Sequence, residues 1–264
     1  MPKGPPKWEA DRFALMERLW GEGMSIPGGP AGVVEMVMPC ALNPAFSVLD
    51  LGAGLGGGTR AVAKQYGVWI TGMEHDAAMA REAMRRSNEA EMARNAPILP
   101  FEDGALALKQ RAYHVIYARD AFFAIQAKEQ LLDQVEQALK PGGQLMFTDY
   151  VLAAKEGDAP AVAAWQKAEG GLPQPWPLER WKEELVARKL RVRVTEDGSE
   201  AHQKQILAAW QVFVQGLEPG GIAPATQALL MRETEIWVRR VAALDSGALR
   251  HYRIYATKPA EVLK

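Results

Sequence analysis

The chain has 264 residues, 48% hydrophobic and 24% charged, with 31 basic side chains against 32 acidic ones. These proportions are those of an ordinary soluble globular protein. The net charge of −1 gives no attraction to a polyanion, because sequence-independent nucleic-acid affinity comes from Lys and Arg neutralising phosphates. The single cysteine, Cys40, cannot close an internal disulfide, and no apolar run approaches the roughly 18 residues of a membrane span. The opening Met-Pro-Lys-Gly-Pro-Pro-Lys lacks a signal-peptide apolar region. The expectation is a cytoplasmic enzyme or binding protein with a small-molecule partner, no nucleic acid and no membrane span.

Residues 1–7 read as a disordered Pro/Lys lead. From Trp8 to Trp20, Phe13, Met16 and Trp20 recur on one face between Glu9, Asp11 and Glu17, an amphipathic helix. Loops follow at Gly21-Glu-Gly and Pro27-Gly-Gly-Pro30. Phe46 to Leu51 is a short apolar run ending in glycines, which suits a buried strand. Gly57 to Tyr66 suits a helix, Val68 to Met73 a second strand, and Asp76 an N-cap for an Ala-rich helix running to about Arg94. Tyr113 to Tyr117 and Gln144 to Thr148 read as strands. Between them Lys128 to Leu139 is a helix with Leu131, Leu132, Val135 and Leu139 on one face, stopped at Lys140-Pro-Gly-Gly143. Such alternation implies a mostly parallel sheet with helices on both faces.

After Tyr150 the texture changes. Residues 151–176 are rich in Ala and Gly. Pro177 opens a helix with Leu178, Trp181 and Leu185 inward, and Leu190 to Thr195 is a plausible strand. Residues 203–217 and 226–246 read as helices, the second ending at Gly247, and Leu249 to Thr257 alternates as a last strand. This gives one α/β domain over 1–264: a helical lid at 8–30, a core at 45–150, substrate-covering elements at 151–248 and a final strand at 249–258.

The most informative stretch is Leu49-Asp-Leu-Gly-Ala-Gly-Leu-Gly-Gly-Gly-Thr59. Gly52 and Gly54 permit φ > 0 and close approach of a ligand, and the following helix offers its N-terminal amides at the same point. Glu74 lies 20 residues beyond Gly54 at the tip of the next strand, where a carboxylate can accept both ribose hydroxyls. Gly52-x-Gly54-x-x-Gly57 also satisfies a dinucleotide fingerprint, and a purely structural glycine turn is the third reading. Asp50 separates the first two: an anion two residues before the first glycine disfavours a pyrophosphate and favours a cationic head such as a sulfonium with its α-ammonium. This points to S-adenosylmethionine.

Val48-Leu-Asp-Leu-Gly-Ala-Gly-Leu-Gly-Gly resembles motif I of the class I S-adenosylmethionine-dependent methyltransferases, with their Rossmann-like, mostly parallel sheet and antiparallel last strand. More narrowly, the chain is similar to the phosphoethanolamine N-methyltransferase family in Gly21-Glu22 with Gly28-Gly29, Tyr117-Ala-Arg-Asp120, Lys140-Pro-Gly-Gly143, Phe147-Thr-Asp-Tyr150, Trp237-Val-Arg-Arg240 and Tyr252 to Lys258. The resemblance implies S-adenosylmethionine bound by Asp50, Gly52, Gly54, Glu74, Glu102 or Asp103, Arg119 and Ser25. It implies Asp120 facing both cofactor and substrate, and Tyr150 and Arg240 lining the substrate site. Asp120, to orient an ammonium or accept its proton through water, and Tyr150, to give or take one hydrogen bond, are the catalytic candidates. The aromatic residues Trp8, Trp20, Phe123, Trp176 and Trp237 are expected near the same mouth, each with packing in the core as the alternative.

The family pattern breaks in two places. Its catalytic Tyr–His pair falls on Trp8 and Ala124, and its phosphate-clamping Arg and Tyr fall in Glu169-Gly-Gly-Leu-Pro-Gln-Pro-Trp176, which has neither. An alkylammonium titrates near ~10.4, so freeing its lone pair at neutral pH costs about 4–5 kcal/mol, and general-base help is typically ~10²–10⁴-fold. These losses argue for an amine lacking a phosphate. O- or C-methylation of a hydrophobic metabolite, or cofactor binding without turnover, are the alternatives. His75, His114, His202 and His251 show no metal-ligand spacing and are expected at the surface or half-buried; no metal is expected.

Overall fold

The computed structural model describes residues 6–153, 160–217 and 224–261. The expected Pro/Lys lead lies outside these residues except for Pro6 and Lys7. Helices α1 (Ala10–Trp20) and α2 (Gly29–Val37) precede β1 (Ser47–Leu51), and α3 (Gly57–Tyr66), β2 (Trp69–Glu74), α4 (Ala77–Glu89) and β3 (Ile98–Pro100) follow. Then come β4 (Tyr113–Arg119), α5 (Lys128–Ala138), β5 (Leu139–Leu152), α6 (Pro160–Ala168) and α7 (Leu178–Ala187). The chain closes with β6 (Arg191–Asp197), α8 (Ser199–Gln215), α9 (Pro224–Asp245) and β7 (Leu249–Thr257).

The seven strands form one sheet in the order β3-β2-β1-β4-β5-β7-β6. Pairings from β3 through β5 are parallel, and β7 runs antiparallel to both of its neighbours. Side chains alternate across the sheet. Val48, Val115 and Tyr117 pack with α1, α2, α8 and α9 on one face, and Leu49, Leu51, Ile116 and Ala118 pack with α5 and α7 on the other.

The order places the carboxyl ends of β1, β2 and β4 side by side, the edge where open α/β sheets bind ligands. Two local devices shape that edge. Asp76 caps α4 by accepting the amides of Ala78 and Met79, each at 2.9 Å. At φ +82°, Gly52 turns the chain out of β1, and a Cβ there would lie 2.3 Å from the Ala121 Cβ.

Besides β3 and α6, which are not expected from the sequence, three elements differ from the expectations. Gly29-Pro-Ala-Gly32 is the first turn of α2, not a loop; Pro is tolerated in the first turn, where its missing N–H has no helical partner. The α4 helix ends at Glu89, short of Arg94, and Glu91 is left-handed at φ 57°. β5 begins at Leu139 and passes through Lys140-Pro-Gly-Gly143, with a register shift against β4.

Candidate active site

A cleft of about 700 Å³ opens over the carboxyl edge, within the roughly 300–1,000 Å³ of small-molecule sites. Its floor is the glycine loop, where Gly52, Gly54 and Ser25 line it. The amide of Gly54 donates to Glu74 Oε2 at 2.8 Å, and the other carboxylate oxygen accepts the Asp76 amide at 2.9 Å. Burial alone would raise the Glu74 carboxyl, but His75, with Nδ1 at 3.0 Å, and these backbone donors hold it below its usual range. A Cβ on Gly54 would stand 2.9 Å from Ser25 Oγ, so only glycine leaves the loop open there. The N-terminal segment docks on this loop through Gly57 N–H to the Gly23 carbonyl at 2.9 Å.

Asp50 lies just beneath. It lines a void of about 30 Å³ that shares Ser25, Gly52, Gly54 and Arg119 with its surroundings. Its Oδ2 accepts Thr59 Oγ1 at 2.6 Å and Tyr117 OH at 2.9 Å. Burial pushes the carboxyl up to about 6 despite both hydroxyl donors. A buried acid raised this way is stabilised by a nearby cation. Glycines free of Cβ, a held ribose-type carboxylate at Glu74 and a cation-seeking Asp50 together fit a sulfonium nucleoside.

The rest of the cleft lining is aromatic and charged. Trp8, Phe123, Ala124, Trp237, Arg12, Glu169, Glu233 and Arg240 line it with Asp120. Asp120 sits just past β4 at φ 49°. Its Oδ1 accepts Thr148 Oγ1 and His251 Nε2, each at 2.7 Å. Burial would raise its carboxyl, yet His251, bonded to it, and Arg119 hold it well below the usual range. Arg119 donates to the Gly29 carbonyl at 3.1 Å and also lines the cleft.

Several expected residues lie elsewhere. Tyr150 is fully buried behind the wall; its hydroxyl meets His202 Nε2 at 2.6 Å and Arg240 Nη1 at 3.5 Å. Trp20 packs in the core with its ring centroid 4.5 Å from that of Trp237. Trp176 is on the other face of the sheet, 4.8 Å from Trp181. Glu102 and Asp103 are exposed and not among the cleft-lining residues. The Asp103 carboxylate instead accepts the Gln126 and Ala127 amides at 2.6 and 3.2 Å, holding the turn before α5.

The histidines are the main correction. His202 and His251 are 6% and 8% exposed and stack with centroids 3.7 Å apart and planes 5° apart. Register brings His251 there, because it stands opposite Tyr150 across the β5–β7 ladder. Ligand-type atoms of Asp120, His202 and His251 lie within 4.8 Å of one another. An imidazole binds a metal in its ring plane, and parallel rings stacked this closely cannot both do so for one ion. The group is therefore a hydrogen-bonded cluster. A Tyr–His contact thus exists in this chain, between Tyr150 and His202, while Trp8 and Ala124 stand in the cleft wall.

Comparison with known proteins agrees with this geometry. A family model described as a methyltransferase domain matches residues 48–143. Phosphoethanolamine N-methyltransferase 1 of Zea mays is 32% identical over 147 residues, 54% of this chain, and the chain spans only 28% of that relative's length. Phosphoethanolamine N-methyltransferase 2 of Haemonchus contortus, solved with S-adenosyl-L-methionine, superposes with a TM-score of 0.83 at 18% identity, covering 94% of this chain and 56% of its own. A putative sarcosine dimethylglycine methyltransferase from Galdieria sulphuraria superposes with a TM-score of 0.75 at 17% identity, covering 96% and 100%. The matched domain, the sheet order and the two superposed structures give this chain the Rossmann-like fold of the class I S-adenosylmethionine-dependent methyltransferases.

Proposed function

We propose that the chain transfers a methyl group from S-adenosylmethionine to the nitrogen of a small amine that carries no phosphate. The observation that carries this reading is Asp120, a buried carboxylate kept ionised in the cleft next to the glycine loop, where the following residue, Ala121, meets Gly52. An ionised carboxylate orients an ammonium by charge, and because this one is held far below its usual range it stays ionised while the ammonium's proton leaves to water before nitrogen attacks. The N-methyltransferase names of the sequence relatives support nitrogen as the acceptor atom.

The bound cofactor supplies the activated methyl, and the residues of this chain do the rest. Glu74, Gly52, Gly54 and Ser25 would hold the nucleoside end, with Asp50 adding negative potential beneath the loop. Trp8, Phe123 and Trp237 narrow the acceptor side and exclude water. Asp120 aligns the amine by its charge, a positioning role, and the proton leaves to water.

The test is release of S-adenosylhomocysteine with purified protein and a panel of phosphate-free amines, phosphoethanolamine, and phenolic and isoprenoid acceptors. Turnover confined to phosphate-free amines is expected. Preference for phosphoethanolamine or for an oxygen or carbon acceptor overturns the reading, and tight S-adenosylmethionine binding without any turnover identifies a cofactor-binding protein instead.

A further inference from the structure

Arg240 is the most enclosed cation on the cleft wall, 5% exposed on α9. Its guanidinium carbon lies 4.3 Å from the Trp237 ring, 5.0 Å from Tyr150, 5.4 Å from Phe123 and 5.7 Å from Trp165. The aromatic faces expected to hold a substrate cation therefore already hold one belonging to the protein. A guanidinium is a rigid fork of donors that matches a carboxylate or a phosphate, and a buried one requires such a partner.

Here the partner is internal. Nε of Arg240 donates to Glu169 Oε1 at 3.1 Å, and Nη2 donates to the same oxygen at closer range. Glu169 follows α6 directly, also accepts the Trp165 indole N–H, and itself lines the cleft. The second arginine of this wall is treated the same way, since Arg12 Nε donates to the buried Glu233 at 2.6 Å. Neither guanidinium is presented without a carboxylate to an incoming anion.

We infer that Glu169 is a specificity-determining residue: it occupies the guanidinium of Arg240 that would otherwise take an anionic group on the acceptor, and so selects acceptors lacking one. This rests on the proposed amine reading and gives it a cause. An acceptor bearing a phosphate monoester would have to displace Glu169 and leave that carboxylate buried beside the new dianion. A neutral or cationic acceptor meets no such conflict. Removal of the Glu169 charge converts the same pocket into an anion site, with Arg240 already held in place by its four rings.

The experiment compares the wild type with Glu169→Ala and Glu169→Gln, the second preserving size and an acceptor for Arg240. Inorganic phosphate and phosphoethanolamine are titrated calorimetrically into each protein saturated with S-adenosylhomocysteine. At least a tenfold gain in affinity for both probes is expected in either variant, and it is lost again in the double variant Glu169→Ala/Arg240→Met. Variants that bind S-adenosylhomocysteine like the wild type yet show no gain overturn the inference, as does a wild type that already binds phosphate as tightly as they do. The readout is anion binding, so a wild type that fails to turn over amines refutes the functional proposal without altering this result.

Discussion

The imidazoles of His202 and His251 lie face to face, 3.7 Å between centroids, with His251 bonded to Asp120 and His202 bonded to Tyr150. Two stacked imidazoles cannot both carry charge cheaply. Burial and the neighbouring His251 push His202 down to about 3, so it is neutral at physiological pH. Burial also keeps the Tyr150 phenol protonated by raising it above its usual range. The hydroxyl therefore donates, and His202 Nε2 accepts. Below the usual histidine range near ~6.5 the unfolded chain takes up a proton that native His202 refuses, so stability falls as the pH drops from about 6.5 toward 3, by at most about 1.4 kcal/mol per pH unit. His202→Gln keeps an acceptor for Tyr150 and removes this contribution. Chemical denaturation across that range is expected to show a shallower acid slope in the variant; identical slopes refute the assignment of a neutral, buried His202.

Asp50 acts with the opposite sign. Its carboxyl is raised to about 6, so between about 4 and 6 the native state holds a proton that the unfolded chain has lost. Folding stability attributable to this group falls as pH rises through that window, by about 3 kcal/mol in total. A cationic cofactor reverses the preference, because it favours the ionised form. Affinity for S-adenosylmethionine is expected to drop by up to about tenfold per pH unit below about 6. Asp50→Asn retains an acceptor for the Thr59 and Tyr117 hydroxyls. It should raise the melting temperature at neutral pH and weaken S-adenosylmethionine binding with no remaining acid dependence. Calorimetric titrations at several pH values decide this, and a variant that binds like the wild type ends the role given to Asp50.

These two sites differ in how far the sequence exposes them. The turn from β1 into α3 is legible because its constraints are local. A strand ending in Gly52-x-Gly54 before helical Gly57–Tyr66 has few backbone solutions, and Glu74 follows from the length of one strand–helix–strand unit. α2 was hidden because Gly29-Pro-Ala-Gly32 has the composition of a loop, and β3 because three edge residues ending in Pro100 carry no periodicity. The histidine pair was hidden for a different reason. His202 opens α8 and His251 lies on β7, and only antiparallel insertion of β7 beside β5 sets His251 opposite Tyr150. No window of sequence contains that information. The Arg240 environment was half legible, since Trp237 one turn before it was visible, while Glu169 is brought to it across 71 positions.

Asp120 combines a functional charge with a conformation that few side chains adopt. Its φ of 49° lies in the left-handed region, which Asp and Asn tolerate better than other non-glycine residues. Asp120→Asn therefore keeps the backbone and an acceptor for Thr148 while abolishing the charge that faces the amine. Turnover of the preferred amine should fall by at least tenfold, because the ammonium loses the charge that aligns it, with S-adenosylhomocysteine affinity changed by less than about threefold. Asp120→Ala should lose activity equally and in addition lose roughly 1 kcal/mol of stability. Paired rate and denaturation measurements separate the two contributions, and an Asn variant within tenfold of wild-type turnover removes Asp120 from the reaction.

Gly52 allows the backbone and steric demands of the loop to be measured apart. Its φ of +82° disfavours any side chain, and an added Cβ would approach the Ala121 Cβ to 2.3 Å. Left-handed strain costs about 1–2 kcal/mol for a residue with a Cβ, and overpacking typically adds ~1–3 kcal/mol. Gly52→Ala is thus expected to lower the melting temperature by about 10 °C in a chain of this size. The displaced loop should weaken S-adenosylmethionine binding at least tenfold. Ala121→Gly removes the opposing methyl but not the strain. The double variant should then recover the steric part of the loss and retain a deficit of about 1–2 kcal/mol. Full recovery means that φ at Gly52 is of no energetic consequence, and no recovery means that the contact with Ala121 is not what keeps this position glycine.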